Sequence, residues 1–196
     1  MLFPPTSPQR YRATAHTNLL RTLSRTGTTL YQSGNCPQCD LRGVGLYGAL
    51  LWRVDLHGAD LSRAELDQAD LYRANLISAK LVDAELYQAN LSEADLTQAD
   101  LTGAELSGAR LTRADLTDAV LLGAALRSAQ LDGAILRGAD LRGADLSESN
   151  LRGADLTDAR LDGADLTATD LTGADLTGVD ISKVDLEGAI RGALTE

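Results

Sequence analysis

The chain has 196 residues with one Trp, one Phe and a net charge of −10, so one domain is expected, without the aromatic residues a globular core would use. The charge is uneven: residues 1–35 carry Arg10, Arg12, Arg21 and Arg25 and no acid, leaving 14 bases against 28 acids, or −14, on the remainder, which argues against duplex binding there. No run approaches the roughly eighteen continuous apolar residues of a membrane span, and Met1-Leu2-Phe3-Pro4-Pro5 opens no apolar signal region, so a cytoplasmic protein with no membrane contact is expected.

Ser7-Pro8 supplies a helix N-cap and a first-turn proline, and Tyr11, Ala15, Leu19 and Leu23 then recur every four residues, joined by Leu20, until Gly27. The spacing predicts a helix over about 8–25 in a segment 1–33. Its expected role is a cap over the open first coil of the repeats that begin near residue 34, because unpaired backbone groups there would template aggregation. The same Arg-rich, acid-free, Ser/Thr-rich opening has the composition of an organellar transit peptide, and a basic arm for nucleic acid is a further reading.

From Leu41 to Leu186 every fifth residue is Leu, with Ile181 the sole replacement, and the residue two before each is nearly always Ala. A helix cannot use this pattern. Five residues at roughly 100° each leave successive leucines about 140° apart, with no apolar stripe. A strand puts Ala and the Leu two later on one face, but the next Ala, three residues on, has the wrong parity. The chain must therefore turn a corner in every repeat. The corner falls on the two residues after Leu, as in Thr102-Gly103, Ser107-Gly108, Arg142-Gly143, Thr172-Gly173 and Thr177-Gly178, which is turn chemistry. The repeat domain is expected over 34–190, followed by a tail, 191–196.

The motif A-(D/N)-L-X-X, as in Ala59-Asp60-Leu61-Ser62-Arg63 and Ala94-Asp95-Leu96-Thr97-Gln98, resembles the pentapeptide-repeat family over about three quarters of the chain. The resemblance implies an all-β solenoid, a right-handed quadrilateral β-helix with four repeats per coil, Leu and Ala inward and the other three positions outward. Residues twenty apart then stack, and about seven or eight coils at the strand spacing of roughly 4.8 Å make a rod. Members of this type are abundant in cyanobacteria, so a bacterial origin is expected. One branch of the family binds DNA gyrase as a mimic of duplex charge and shape. It favours Phe where this chain has Leu, and uses loops or a C-terminal dimerisation helix that this chain lacks.

Extended backwards, the register puts Cys36 in a Leu place and Cys39 in an Ala place, so both sulfurs should point inward at the base. Buried free thiols, a disulfide clamping the corner, and a redox or zinc site are three readings of this C-x-x-C pair. The stacking rule places Trp52 beneath Tyr72 and Arg53 beneath Arg73, with Leu50 on the same side. Trp, Tyr and Arg together compose an interface hot spot. These five residues are the expected contact site for another protein, unless the N-terminal helix or residues 26–33 fold over them. Val120, Leu122, Ala125 and Ile135 replace residues that are polar in most other repeats, a smaller apolar spot or tolerated surface change.

The residue before each Leu is mostly acidic and sorts into ladders: Glu65, Glu85, Glu105, Ala125, Asp145, Asp165, Asp185 on one face, and Asp55, Asn75, Asp95, Asp115, Ile135, Asp155, Asp175 on the opposite one. Carboxylates about 5 Å apart repel, so the rod should bind cations weakly and repel nucleic acid. A straight rod with a filled core offers no concavity in which a nucleophile, a base and an orienting group converge. No enzyme activity, catalytic residue, metal site or cofactor is expected. The expected function is a rigid scaffold or protein-interaction module. An acidic DNA mimic that binds a DNA-processing enzyme such as gyrase is the alternative, and a structural module with a redox-sensitive Cys36–Cys39 pair is the third. Because the repeat stops at Arg191 with only Ile190 and Leu194 to cover the last coil, a monomer or a weak end-to-end dimer is expected.

Overall fold

The computed structural model describes residues 35–190. Residues 1–34, on which the helix expected over 8–25 falls, and the tail 191–196 lie outside the described residues.

Within them the backbone pairs at one interval throughout. Asp40 pairs with Asp60, Gly45 with Glu65, Leu50 with Asp70 and Asp55 with Asn75, and each pairing repeats twenty residues on, always parallel. Four five-residue sides therefore close one coil, and every coil lies in register on the one before. Leu and the small residue two before it point inward: Leu61 to Leu116 and Ala59 to Ala119 at these positions are at most 1% exposed. The core is one continuous stack of leucines and alanines, and the narrowness of that interior accounts for the shortage of aromatic residues.

One repeat accounts for all five backbone N–H groups. The Leu116 N–H donates to the Ile135 carbonyl at 2.7 Å and that of Asp118 to Arg137 at 2.8 Å, both in the next coil; that of Asp115 donates to Ala94 in the coil before at 3.0 Å. The Ala119 N–H closes the corner onto the Leu116 carbonyl at 3.0 Å. The fifth, Thr117 N–H, has no backbone acceptor and is taken by the Asp115 carboxylate at 3.0 Å. A complete ladder of this kind leaves no buried backbone group unpaired.

The second corner residue takes a left-handed φ. Fourteen glycines do so, and so do sixteen residues with side chains, among them Arg53, Arg73, Glu93 and Ala168. The corner is thus fixed by the ladder bonds even where the residue itself disfavours it. At Gly138 a Cβ would lie 2.5 Å from Asp118 Oδ1, a contact that rotation of the exposed carboxylate would relieve.

The regularity fails at two places. The period puts Ile181 inward, in the place of a Leu; instead Ile181–Lys183 forms a 3₁₀ turn and Ile181 is 36% exposed. Asp180 caps this turn by accepting from the Ser182 N–H, and Lys183 spans Asp162 at 3.0 Å and Asp180 at 3.1 Å. Here Arg160 does not pair with Asp180, and regular pairing resumes at Asp165–Asp185. The second irregularity is polar. Ser149 and Thr169 occupy stacked Ala places and are buried. The Thr169 hydroxyl donates to the Leu146 carbonyl at 2.8 Å, whereas Ser149 Oγ has no partner among the described residues. Leaving a buried hydroxyl unpaired is unfavourable by about 1–3 kcal/mol, so Ser149→Ala should raise stability by about 1 kcal/mol, and Thr169→Ala should not. Urea unfolding of the two variants reads the difference.

Candidate surface for protein contacts

The corner that carries Trp52 and Arg53 lies directly below the one that carries Tyr72 and Arg73, because the Arg53 N–H donates to the Tyr72 carbonyl at 2.7 Å. Each arginine lies against its neighbouring ring. The Arg53 guanidinium is 5.9 Å from the Trp52 centroid and that of Arg73 is 5.1 Å from Tyr72, within the range of cation–π attraction. Leu50, in the same coil as Trp52 and paired with Asp70 above it, is 40% exposed. The five residues Leu50, Trp52, Arg53, Tyr72 and Arg73 are therefore on adjoining positions of consecutive coils.

The residue that sequence reasoning missed here is Glu93. One coil above Arg73, its carboxylate accepts from Arg73 Nε at 2.7 Å and from the Tyr72 hydroxyl at 3.2 Å. The Arg73 hydrogen bond, against some opposition from burial, holds the Glu93 carboxyl below the usual range, and the same bond raises Arg73. Ring, guanidinium and carboxylate are thus mutually fixed, which lowers the entropy lost when a partner binds. Arg53 makes no ion pair with the described residues and leaves its charge available beside the indole. The twenty-residue interval alone puts Glu93 over Arg73, so this signal is present in the sequence.

Other candidates are dispersed. Tyr47 and Tyr87, 66% and 44% exposed, stand two coils apart on a different column, separated by Asp67, which accepts the Tyr87 N–H at 2.8 Å. Val120 pairs between Asp100 and Asp140, while Ile135 pairs between Asp115 and Asp155, so these two apolar residues stand on different columns. At the base Cys36 and Cys39 are joined in a disulfide across the first corner, with Cα atoms 5.4 Å apart and Cys36 5% exposed. Neither sulfur is a free thiol in the structure. His57 is turned to Asp55, Nδ1 to Oδ1 2.9 Å. Among the described residues no group of three or more His, Cys, Asp or Glu could hold a metal ion, and no helix is long and apolar enough to cross a membrane.

The pentapeptide-repeat family model matches successive, overlapping stretches that together run over residues 39–190, in eight copies. The chain belongs to the pentapeptide-repeat family. Among solved structures, HetL, a pentapeptide repeat protein involved in heterocyst differentiation regulation in the cyanobacterium Nostoc, is 32% identical over 82% of this chain and 86% of its own, with a TM-score of 0.32. QnrB1, a plasmid-mediated fluoroquinolone resistance protein, is 23% identical over 79% of this chain and 80% of its own, with a TM-score of 0.54, a likeness of fold. A pentapeptide repeat protein of the Arabidopsis thaliana thylakoid lumen is 40% identical over 46% of this chain, with a TM-score of 0.40, and the match spans 59% of that protein's length. No curated protein sequence matches.

This pentapeptide-repeat protein uses its acidic column in two ways. Asp145, Asp165 and Asp185 accept the N–H two residues on, at 2.9, 2.8 and 3.0 Å, and Glu105 accepts that of Ser107 at 2.9 Å. Glu65 and Glu85, stacked and exposed, make no such bond; the Tyr87 N–H goes to Asp67 instead. Much of the ladder is corner chemistry.

Proposed function

We propose that this protein is a rigid, non-enzymatic scaffold that binds another protein through Leu50, Trp52, Arg53, Tyr72 and Arg73. The reading takes the domain as 34–190, wound right-handed in seven or eight coils as the family resemblance implies, and places it in the cytoplasm. The observation that supports it is the preorganised pair of aromatic–arginine contacts on consecutive coils, locked from above by Glu93. Trp, Tyr and Arg dominate binding energy where they are held in place and can be desolvated together. Affinity capture from native lysate with the starting protein and with Trp52→Ala/Arg53→Ala, at low and high salt, tests it. A partner that survives high salt and is reduced at least tenfold by the variant is expected. An unchanged set of captured proteins would sink the reading.

A second reading rests on Glu65, Glu85 and Glu105, an exposed stack of carboxylates with no ion pair to the described residues. In it these acids mimic duplex charge toward a DNA-processing enzyme such as gyrase. Charge reversal of all three should then abolish inhibition of a topoisomerase, and absence of inhibition by the starting protein ends this reading.

A further inference from the structure

We propose that the partner of the Leu50–Trp52–Tyr72 surface is an acidic polypeptide segment, with an apolar residue seated on the two rings and carboxylates reaching Arg53, Arg110 and Arg113 along the same face. This deepens the reading of that surface as a contact site and rests on it.

The twenty-residue register divides the outward positions of the described residues among four faces, and charge is sorted between them. The face of Glu65, Glu85 and Glu105 holds nine acids against Arg127 alone, and the opposite one, with Asp95 and Asp115, holds seven against Arg137 and His57. Between these two lies the face of Trp52 and Tyr72, with five arginines against four acids; the fourth face has six bases against seven acids. An acidic partner therefore meets an excess of positive charge on one face only.

Pairing sharpens the difference. Each acid on this face is already engaged: Glu93 accepts from Arg73 at 2.7 Å, Asp170 from Arg152 at 3.2 Å, Asp132 from the Thr112 hydroxyl at 2.9 Å and Asp70 from Asn90 Nδ2 at 2.9 Å. Arg53, Arg110 and Arg113 are exposed and make no ion pair with the described residues. On the fourth face, by contrast, Arg42 is paired with Asp40, and Arg142 and Arg160 with Asp140.

The placement suits one extended chain. Arg113 stands three coils above Arg53 in the same column, about 14 Å away, which an extended chain covers in about four or five residues. Arg110 precedes Arg113 in the same repeat. Because acidic faces flank this one on both sides, an acidic ligand must be narrow, and a duplex would bring its phosphates against them.

Fluorescence of Trp52, the sole tryptophan, reports binding directly. The full chain is titrated with a terminally blocked peptide of two leucines followed by a run of glutamates, and with its glutamine counterpart. At least fivefold tighter binding of the glutamate peptide is expected. Arg110→Gln/Arg113→Gln should bring the two affinities within twofold of each other, and the fold tolerates it, since Gln130 and Gln88 already occupy these two kinds of place. Arg63→Gln/Lys80→Gln, an equal change of charge on the fourth face, should leave the preference intact. Equal binding of the two peptides, or no response to the glutamate peptide, would overturn the proposal, as would a preference lost equally in both double variants. Tighter binding of an oligothymidylate than of the glutamate peptide would assign the face to single-stranded nucleic acid and also overturn it. Capture with Trp52→Ala/Arg53→Ala reads the contact site whatever the partner's charge, so either reading can fail alone.

Discussion

Leu101→Ala should lower the unfolding free energy by about 3–5 kcal/mol, the upper part of the range for buried leucines. Leu101 is fully buried, between Leu81 and Leu121 in its column. The effect is large because the site can relax so little. Its own N–H is tied to the Val120 carbonyl at 2.7 Å, and the Asp100 N–H to Ala79 at 2.9 Å, so the backbone is pinned to the coil above and the coil below. Neighbouring leucines belong to their own pinned corners and cannot move in to fill the void. A solenoid is also held by nearest-neighbour interfaces, and a lesion in a central coil weakens both halves' contact with each other. Leu176→Ala, near the end of the regular coils and already 4% exposed, should lose about half as much because that site can collapse or admit water. Chemical denaturation of both variants decides the matter. A Leu101→Ala loss within about 1 kcal/mol of zero would show that the coils repack freely and that the rod is not rigid.

The period of five residues carries most of the fold. Leu at one place and a small residue two before it force an inward pair and a corner in each repeat, and between residues 40 and 178 every repeat keeps both, with Val44, Val54, Ser149 and Thr169 standing in for Ala. The same interval places Trp52 under Tyr72 and Arg53 under Arg73. What it does not disclose is chemistry inside the corner. Asp and Asn before Leu read as a solvated charge ladder, because the pattern says which way a side chain points and not which N–H lacks an acceptor. Ile181 has the right character for the core, yet Asp180 and Ser182 flank it with a competing local bond, Ser182 Oγ to Asp180 at 2.6 Å, and the turn closes as 3₁₀ instead. Ser149 and Thr169 are near enough to Ala in size to fit an inward place, so the period accounts for their burial, but only Thr169 reaches a carbonyl.

Replacing Asp100, Asp115 and Asp145 together by Ala should lower stability by roughly 3 kcal/mol, about 1 kcal/mol for each lost corner cap, while the corresponding triple Asn variant should keep most of it. Each carboxylate accepts the N–H two residues on and the hydroxyl of the same residue: Thr102 at 3.1 and 2.6 Å, Thr117 at 3.0 and 2.6 Å, Ser147 at 2.9 and 2.5 Å. The three lie on different columns and add nearly independently. An oxygen is what the cap requires, since Asn75, Asn90 and Asn150 bind the equivalent N–H at 3.2, 3.2 and 3.1 Å. Glu65→Ala/Glu85→Ala, which removes two charges and no cap, should leave stability unchanged or slightly raised as repulsion falls. Charge matters instead for the acid limb. The hydroxyls of Thr167, Thr172 and Thr177 hold the carboxyls of Asp165, Asp170 and Asp175 below the usual range. A carboxyl depressed in the folded state contributes stability that is complete above its unfolded pKa, about 3.9, and is lost as pH falls through the lower folded value. Stability should therefore be level from neutral pH to about 5 and fall below about 4, and Asp165→Asn/Asp170→Asn/Asp175→Asn should flatten that fall. If the triple Ala and triple Asn variants at 100, 115 and 145 were equally destabilised at pH 7, the acids would be acting through their charge, and the column of carboxylates would again need a functional explanation.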